Sequence, residues 1–166
     1  MGMSVTISVA TEQDVEQIFR LQYLCFQSEA ALYGNYRIDP LVQTLDSVRA
    51  EVASDCVYVA RLGDEVVGSV RGRIAEDGAA AIGKLCVHPR LQGHGIGARL
   101  LRAAESALAE ERGAKTFRLF TGHRSESNLR LYRRVGYETV GTSKGGDDGV
   151  PMIILEKPAG TYATTA

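Results

Sequence analysis

At 166 residues, 45% hydrophobic and 23% charged, the chain has the size and composition to bury one substantial core. A net charge of −1 excludes a nucleic-acid binder that works through a generally basic surface, and no run approaches the roughly 18 apolar residues of a membrane-spanning helix. Cys25, Cys56 and Cys86 are odd in number, far apart and set in apolar surroundings, without metal-ligand spacing. They read as reduced core thiols and, with no basic-then-apolar leader, place the chain in the cytoplasm.

Val5–Val9 alternates apolar and polar residues, the period of a half-buried strand. Thr11, with Asp14 three residues on, starts a helix running to about residue 31, with Val15, Ile18, Phe19, Gln22 and Cys25/Phe26 at helical spacing. Asp39-Pro40 marks a loop, and a second helix spans about 41–53, with Val42, Leu45, Val48 and Val52 on one side. Strands follow at 57–62, Glu65–Ile74 and 79–87, turned by Gly63-Asp64 and Asp77-Gly78. A helix after Gly97 buries Leu100, Leu101, Ala104 and Leu108 and stops near Gly113. A strand at 116–121 and a short helix at 125–135, with Ser125 as its cap, precede two last strands at 137–141 and 150–156. The order β-α-α-β-β-β-α-β-α-β-β predicts an α/β (α+β) fold. Its centre is a mixed, mostly antiparallel sheet of about seven strands with helices on both faces. Residues 1–158 form a single domain, and 159–166 a small polar tail expected to be disordered.

The stretch that carries chemistry is Leu85-Cys86-Val87-His88-Pro89-Arg90-Leu91-Gln92-Gly93-His94-Gly95-Ile96-Gly97. A strand, a glycine-lined turn and a helix N-terminus make an anion cradle, because the first helical N–H groups lack partners and glycine admits φ > 0. A dinucleotide fingerprint does not fit: Gly93-x-Gly95-x-Gly97 is one residue short, and no acid ends the next strand. A P-loop would need a following Lys-Ser/Thr, which is absent. The glycine spacing alone leaves a loose turn as the alternative. The charge order argues for an anion: Arg99 and Arg102 come early in the helix and Glu105, Glu110 and Glu111 late, against the helix dipole.

The pattern Gln92-x-x-Gly95-x-Gly97, preceded by Val87-His88-Pro89, resembles the [Q/R]-x-x-G-x-[G/A] acetyl-CoA motif of the GNAT superfamily of N-acetyltransferases. Asn128-x-x-x-Tyr132-x-x-x-Gly136-Tyr137 resembles that family's second hallmark, at the expected distance. The element order also matches over essentially the whole chain. The resemblance implies acetyl-CoA as cosubstrate, no metal, and direct attack of a neutral amine on the thioester. It implies that the backbone of Leu85, Cys86 and Val87 holds the pantetheine arm. The loop amides of Gln92, Gly93, His94, Gly95, Ile96, Gly97 and Ala98 would then hold the pyrophosphate. Asn128 would contact the pantetheine amide, Arg134 a phosphate, and Tyr132 would protonate the departing thiolate. Cys86, mid-strand with no motif His beside it, does not read as a nucleophile.

One departure matters. Many relatives carry a glutamate on the strand before the glycine loop as base, and here Ala79-Ala80-Ala81-Ile82-Gly83-Lys84 holds no acid. His123, Glu29, His88 or a water chain remain as candidates. The acceptor, a small-molecule or peptide amine, is expected to meet the loops at 28–40, with Tyr33, Tyr36 and Asp39, and 142–149, with Asp147 and Asp148. A non-catalytic acyl-CoA sensor of the same fold is the alternative. No nucleic-acid or membrane partner is expected. The exposed edge near the last hairpin allows a homodimer as well as a monomer.

Overall fold

The computed structural model describes residues 4–144 and 149–160. Asp147, Asp148 and the end of the expected tail lie outside the described residues. Seven strands form one open sheet: β1 (Val5–Val9), β2 (Cys56–Leu62), β3 (Glu65–Ile74), β4 (Ala80–Val87), β5 (Thr116–Gly122), β6 (Glu138–Ser143) and β7 (Met152–Pro158). The spatial order is β1-β2-β3-β4-β5-β7-β6. Every pairing is antiparallel except β4 with β5, the two strands flanking the helix that follows the glycine loop.

Both predicted N-terminal helices are divided in the structure. Helix α1 (Val15–Cys25) ends at Phe26, and α2 (Gln27–Tyr33) starts in a new direction before Gly34 stops it at φ +60°. Helix α3 (Asp39–Val42) is a single turn; Gln43 then turns extended, and Thr44 caps α4 (Leu45–Ser54) by accepting the Ser47 amide at 3.1 Å. The break at Gln43 has a tertiary cause. Its side chain bonds Gln22, Ser47, Glu51 and Lys84, which a continuous helix would not permit.

Alternation along the strands sorts the core onto the two faces. Val57, Val59 and Val66 pack with Val15, Ile18 and Leu21 of α1 and Val48 of α4. Ala60, Val67 and Val70 pack with Leu100, Leu101, Ala104 and Leu108 of α5 (Ile96–Arg112), and α6 (Glu126–Arg134) joins that face through Leu129 and Tyr132. Two buried ion pairs staple the layers. Asp14 takes Arg61 at 2.6 and 2.7 Å, while Glu105 accepts from Tyr137 Oη at 2.7 Å and Lys157 Nζ at 2.9 Å. No helix among the described residues is long and apolar enough to cross a membrane.

The feature that positions the site is a defect in β4. Ser69 pairs with Cys86 and Arg71 with Gly83, so Lys84 and Leu85 together oppose Val70: a bulge, with Lys84 at φ +50°. β4 pairs with β5 only over Ala80–Ile82, against Phe117, Arg118 and Leu119. Past that point the two parallel strands diverge, and the sheet opens.

Candidate active site

Two cavities meet in this opening. The first, about 490 Å³, lies between the C-terminal half of β4, the glycine loop and α6; Leu85, Cys86, Val87, Gln92, Gly93, Gly95, Ile96, Gly97, Ala98, Asn128 and Arg134 line it. Nine of those residues form the loop and strand that sequence singled out as an anion cradle, and Asn128 and Arg134 reach it from α6. The second, about 230 Å³, opens beyond Lys84 and is walled by Phe26, Ile38, Ile82, Phe120, Met152 and Tyr132, among others. Phe26, Glu29, Leu85 and Asn128 belong to both walls. A group reaching inward from one cavity therefore meets a group reaching inward from the other at these four residues.

The first cavity is built for backbone recognition. Gly93 and Gly95 sit at φ +84° and +76°, and a Cβ on either would meet no protein atom within 4 Å, only the open cradle. Gly95 is the N-cap of α5, which has neither a side-chain cap nor an acidic residue in its first turn. Its leading N–H groups are thus free of local acceptors, the condition for holding an anion. Gly97 is different: its backbone is ordinary and a Cβ would make only a 3.5 Å contact with Leu131.

Not every sequence expectation survives in detail. His94 is exposed and lines neither cavity. Arg99 reaches the Val5 carbonyl at 2.9 Å, tying α5 to β1, and Glu105 is buried with Tyr137 and Lys157. Arg112 adds a cation to the last turn. Part of the helix's charge order is therefore structural, and what still asks for an anion is the bare first turn. Ser125 precedes α6 but its hydroxyl caps nothing; it turns instead to Glu29.

That turn belongs to a chain of hydrogen bonds across the second cavity. Ser125 Oγ donates to Glu29 Oε1, Tyr33 Oη lies 3.0 Å from Ser125 Oγ, and the Arg124 amide donates to Tyr33 Oη at 2.8 Å. Gly122, at the end of β5, makes room for this, because a Cβ there would collide with the Tyr33 hydroxyl. Tyr132 lines the second cavity and is buried; burial, and then the nearby Glu29 carboxylate, push its phenol well above the ordinary range. On the opposite wall Lys84 is held by Asp39 at 2.7 Å, Gln43 at 2.8 Å and Glu51 at 3.4 Å.

Of the three side chains considered as base, only Glu29 is in a cavity wall. His123 is exposed against the Pro151 carbonyl at 3.3 Å, and His88 Nδ1 accepts the Arg90 amide at 3.3 Å; neither lines a cavity. Tyr36 also lies outside both linings, whereas Tyr33 and Asp39 are within the second. Sequence reasoning missed Phe26 and Leu131 as wall residues. Each looked like an ordinary helical apolar position, and no local signal separates them from core.

Cys25 and Cys86 pack together on the α1 face, and Cys25 Sγ donates to the Val87 carbonyl at 3.4 Å. The hydrogen bond from Cys86 pulls the Cys25 thiol down against the effect of burial. The same contact and full burial push Cys86 well up.

Residues 53–139 match the family model described as an acetyltransferase (GNAT) domain. No curated protein matches the chain. Among solved structures, the PaiA N-acetyltransferase of Thermoplasma acidophilum, in complex with coenzyme A, superposes with a TM-score of 0.77 at 17% identity, covering 94% of this chain and 99% of that one. A putative acetyltransferase of Salmonella typhimurium, yncA, with its cofactor acetyl-CoA, gives 0.75 at 18% identity over 94% of each chain. The ribosomal-protein-S18-alanine N-acetyltransferase of Escherichia coli gives 0.73 at 17%, again over 94% of each.

Proposed function

This chain belongs to the GNAT acetyltransferase family, and we propose that it moves an acetyl group from acetyl-CoA to a primary amine by direct attack. The observation that carries the reading is the pair of cavities meeting at Phe26, Glu29, Leu85 and Asn128. A thioester entering through the larger cavity and an amine entering through the smaller come together there, without a covalent intermediate on the protein.

Each wall has a task in that reaction. The open cradle at Gly93 and Gly95 and the bare first turn of α5 suit a pyrophosphate, which needs close backbone approach and unpaired N–H groups. Arg134, on the same wall, adds a cation for a phosphate. β4, released from β5 after Ile82, offers the backbone of Leu85, Cys86 and Val87 to an extended amide-bearing arm, as if to one more strand. An N–H of that stretch polarises the acetyl carbonyl as the amine attacks. Tyr132, neutral because its phenol is raised, gives its proton to the leaving thiolate.

The test is thiol release from acetyl-CoA over a panel of small amines and short peptides, beside a thermal-shift series with CoA, which stabilises whichever protein binds it. Turnover on some amine with a CoA-dependent rise in midpoint supports the proposal. A rise in midpoint with no turnover on any amine replaces it with a coenzyme sensor.

A further inference from the structure

Resting on that function, we propose that the base for the acceptor amine is Glu29, a carboxylate supplied by α2 and aimed by Ser125 and Tyr33, and not by a residue of the sheet. β4 carries no acid, and its charged side chain in the acceptor cavity is Lys84. The carboxylates lining the two cavities are Glu29 and Asp39, and Asp39 is held by Lys84 at 2.7 Å. Of these two carboxylates only Glu29 stands in both walls, where amine and thioester meet.

The hydrogen bonds around it have a fixed direction. Ser125 gives its one hydroxyl proton to Glu29 Oε1, so the 3.0 Å contact with Tyr33 obliges Tyr33 to donate to Ser125. Tyr33 Oη in turn accepts the Arg124 amide at 2.8 Å. Every donor in the chain points toward Glu29. This fixes one carboxylate oxygen and leaves the other for the incoming amine.

The step balances. An ammonium N–H bond breaks and an O–H bond forms on Glu29, freeing the lone pair that makes the C–N bond. The C–S electron pair leaves with sulfur, which takes the proton of Tyr132. The attacking nitrogen's second proton returns to the phenolate through solvent, and Glu29 releases its own to solvent, so one proton leaves overall.

Around Glu29 lie Cys25 of α1, Tyr33 of α2, Asp39 of α3, Lys84 of β4, and Tyr132 and Arg134 of α6. Asp39 and Lys84 neutralise one another, Tyr132 is neutral, Tyr33 is engaged as a donor, Arg134 is permanently charged, and a thiol ionises on the alkaline side. Among the described residues lining the two cavities, Glu29 is thus the carboxylate not held in an ion pair.

The experiment measures kcat/KM against pH for the unsubstituted protein, Glu29→Gln and Ser125→Ala, with an alkylamine and with a weakly basic acceptor such as a hydrazide. CoA-dependent thermal shift checks that each variant keeps its cavity. For the alkylamine at neutral pH, Glu29→Gln should fall roughly 10²–10³-fold. With the hydrazide, which arrives unprotonated, the loss should shrink below about tenfold. Ser125→Ala should lose less than Glu29→Gln, again more with the alkylamine than with the hydrazide, because it removes a donor that aims the carboxylate and not the carboxylate itself. An undiminished rate with the alkylamine in Glu29→Gln, or an equal loss for both acceptors, overturns the assignment and leaves the carboxylate a wall residue. Absence of turnover in the unsubstituted protein on every acceptor overturns the proposed function itself, and this assignment with it.

Discussion

Replacing Tyr132 by Phe removes one oxygen from the acceptor cavity and little else. The ring is 6% exposed and stands edge-on to Tyr137 at 6.2 Å between centroids, a contact that Phe retains. No described residue hydrogen-bonds its hydroxyl, so stability should stay within about 0.5 kcal/mol. The catalytic cost is larger. A positioned proton donor contributes roughly 10²–10⁴-fold, or about 3–5 kcal/mol of barrier, and the other phenol of that cavity, Tyr33, is engaged with Ser125 at 3.0 Å. kcat should therefore fall by that factor. The KM for acetyl-CoA should move less than about twofold, because Tyr132 lines the acceptor cavity and not the donor cavity. Burial and Glu29 raise the phenol, so it stays protonated up to and beyond the ordinary range near pH 10. The variant should thus show a lower curve of the same shape, with no limb lost. Initial rates of thiol release at saturating amine, across pH, measure all of this. A kcat within threefold of the unsubstituted protein, or a loss confined to KM, refutes the acid role.

Gly95→Val should abolish the CoA-dependent rise in thermal midpoint: at φ +76° its side chain is strained and projects into the cradle, and a retained shift would mean the coenzyme sits elsewhere. Asp14→Asn should destabilise by about 3 kcal/mol in denaturant titration, since it removes the buried carboxylate and leaves the Arg61 guanidinium without its partner. Burial pushes Asp14 up, but Arg61 and the Thr11 amide outweigh it and hold the carboxyl below 3.8; its stabilisation is complete above that unfolded value and is lost as pH falls through the lower, folded one. A variant whose stability deficit stays constant down to acid pH would contradict that sign. Cys25 should alkylate before Cys86 in a mass-resolved time course, and CoA should slow it, because both line the larger cavity but Cys25 is half-buried with its thiol pulled down, while Cys86 is buried and pushed up; equal rates would contradict the pairing.

The glycine cradle was legible because its demands fall on the backbone. Positive φ at two positions requires glycine whatever surrounds them, and Gly93 and Gly95 stand two apart before a helix, where the eye can find them. The same logic does not extend to Gly97, whose backbone is ordinary, or to His94, whose side chain is exposed. The strand order came through for a similar reason: alternation and turn dipeptides are local. What stayed hidden depends on partners distant in sequence. Gln43 breaks a helix to reach Lys84, 41 residues on, and Ser125 gives up its cap for Glu29, 96 residues back. Neither choice leaves a trace in the few residues around it.

That difference explains why the coenzyme half of the reaction can be read and the acceptor half needs the structure. The bulge at Lys84 and Leu85 both frees the β4 backbone and closes off the sheet as a source of acid, because it delivers a cation to the acceptor side. Lys84 paired with Asp39 leaves that wall neutral, so the one charge left over among the lining side chains is the carboxylate of Glu29. An ammonium is drawn to that charge, and the surrounding Phe26, Ile38, Phe120 and Met152 desolvate it on arrival. Desolvation disfavours the ammonium relative to the free amine, so giving up its proton costs less there than in water. The apolar wall, which carries no chemistry by itself, is what makes a plain carboxylate a sufficient base.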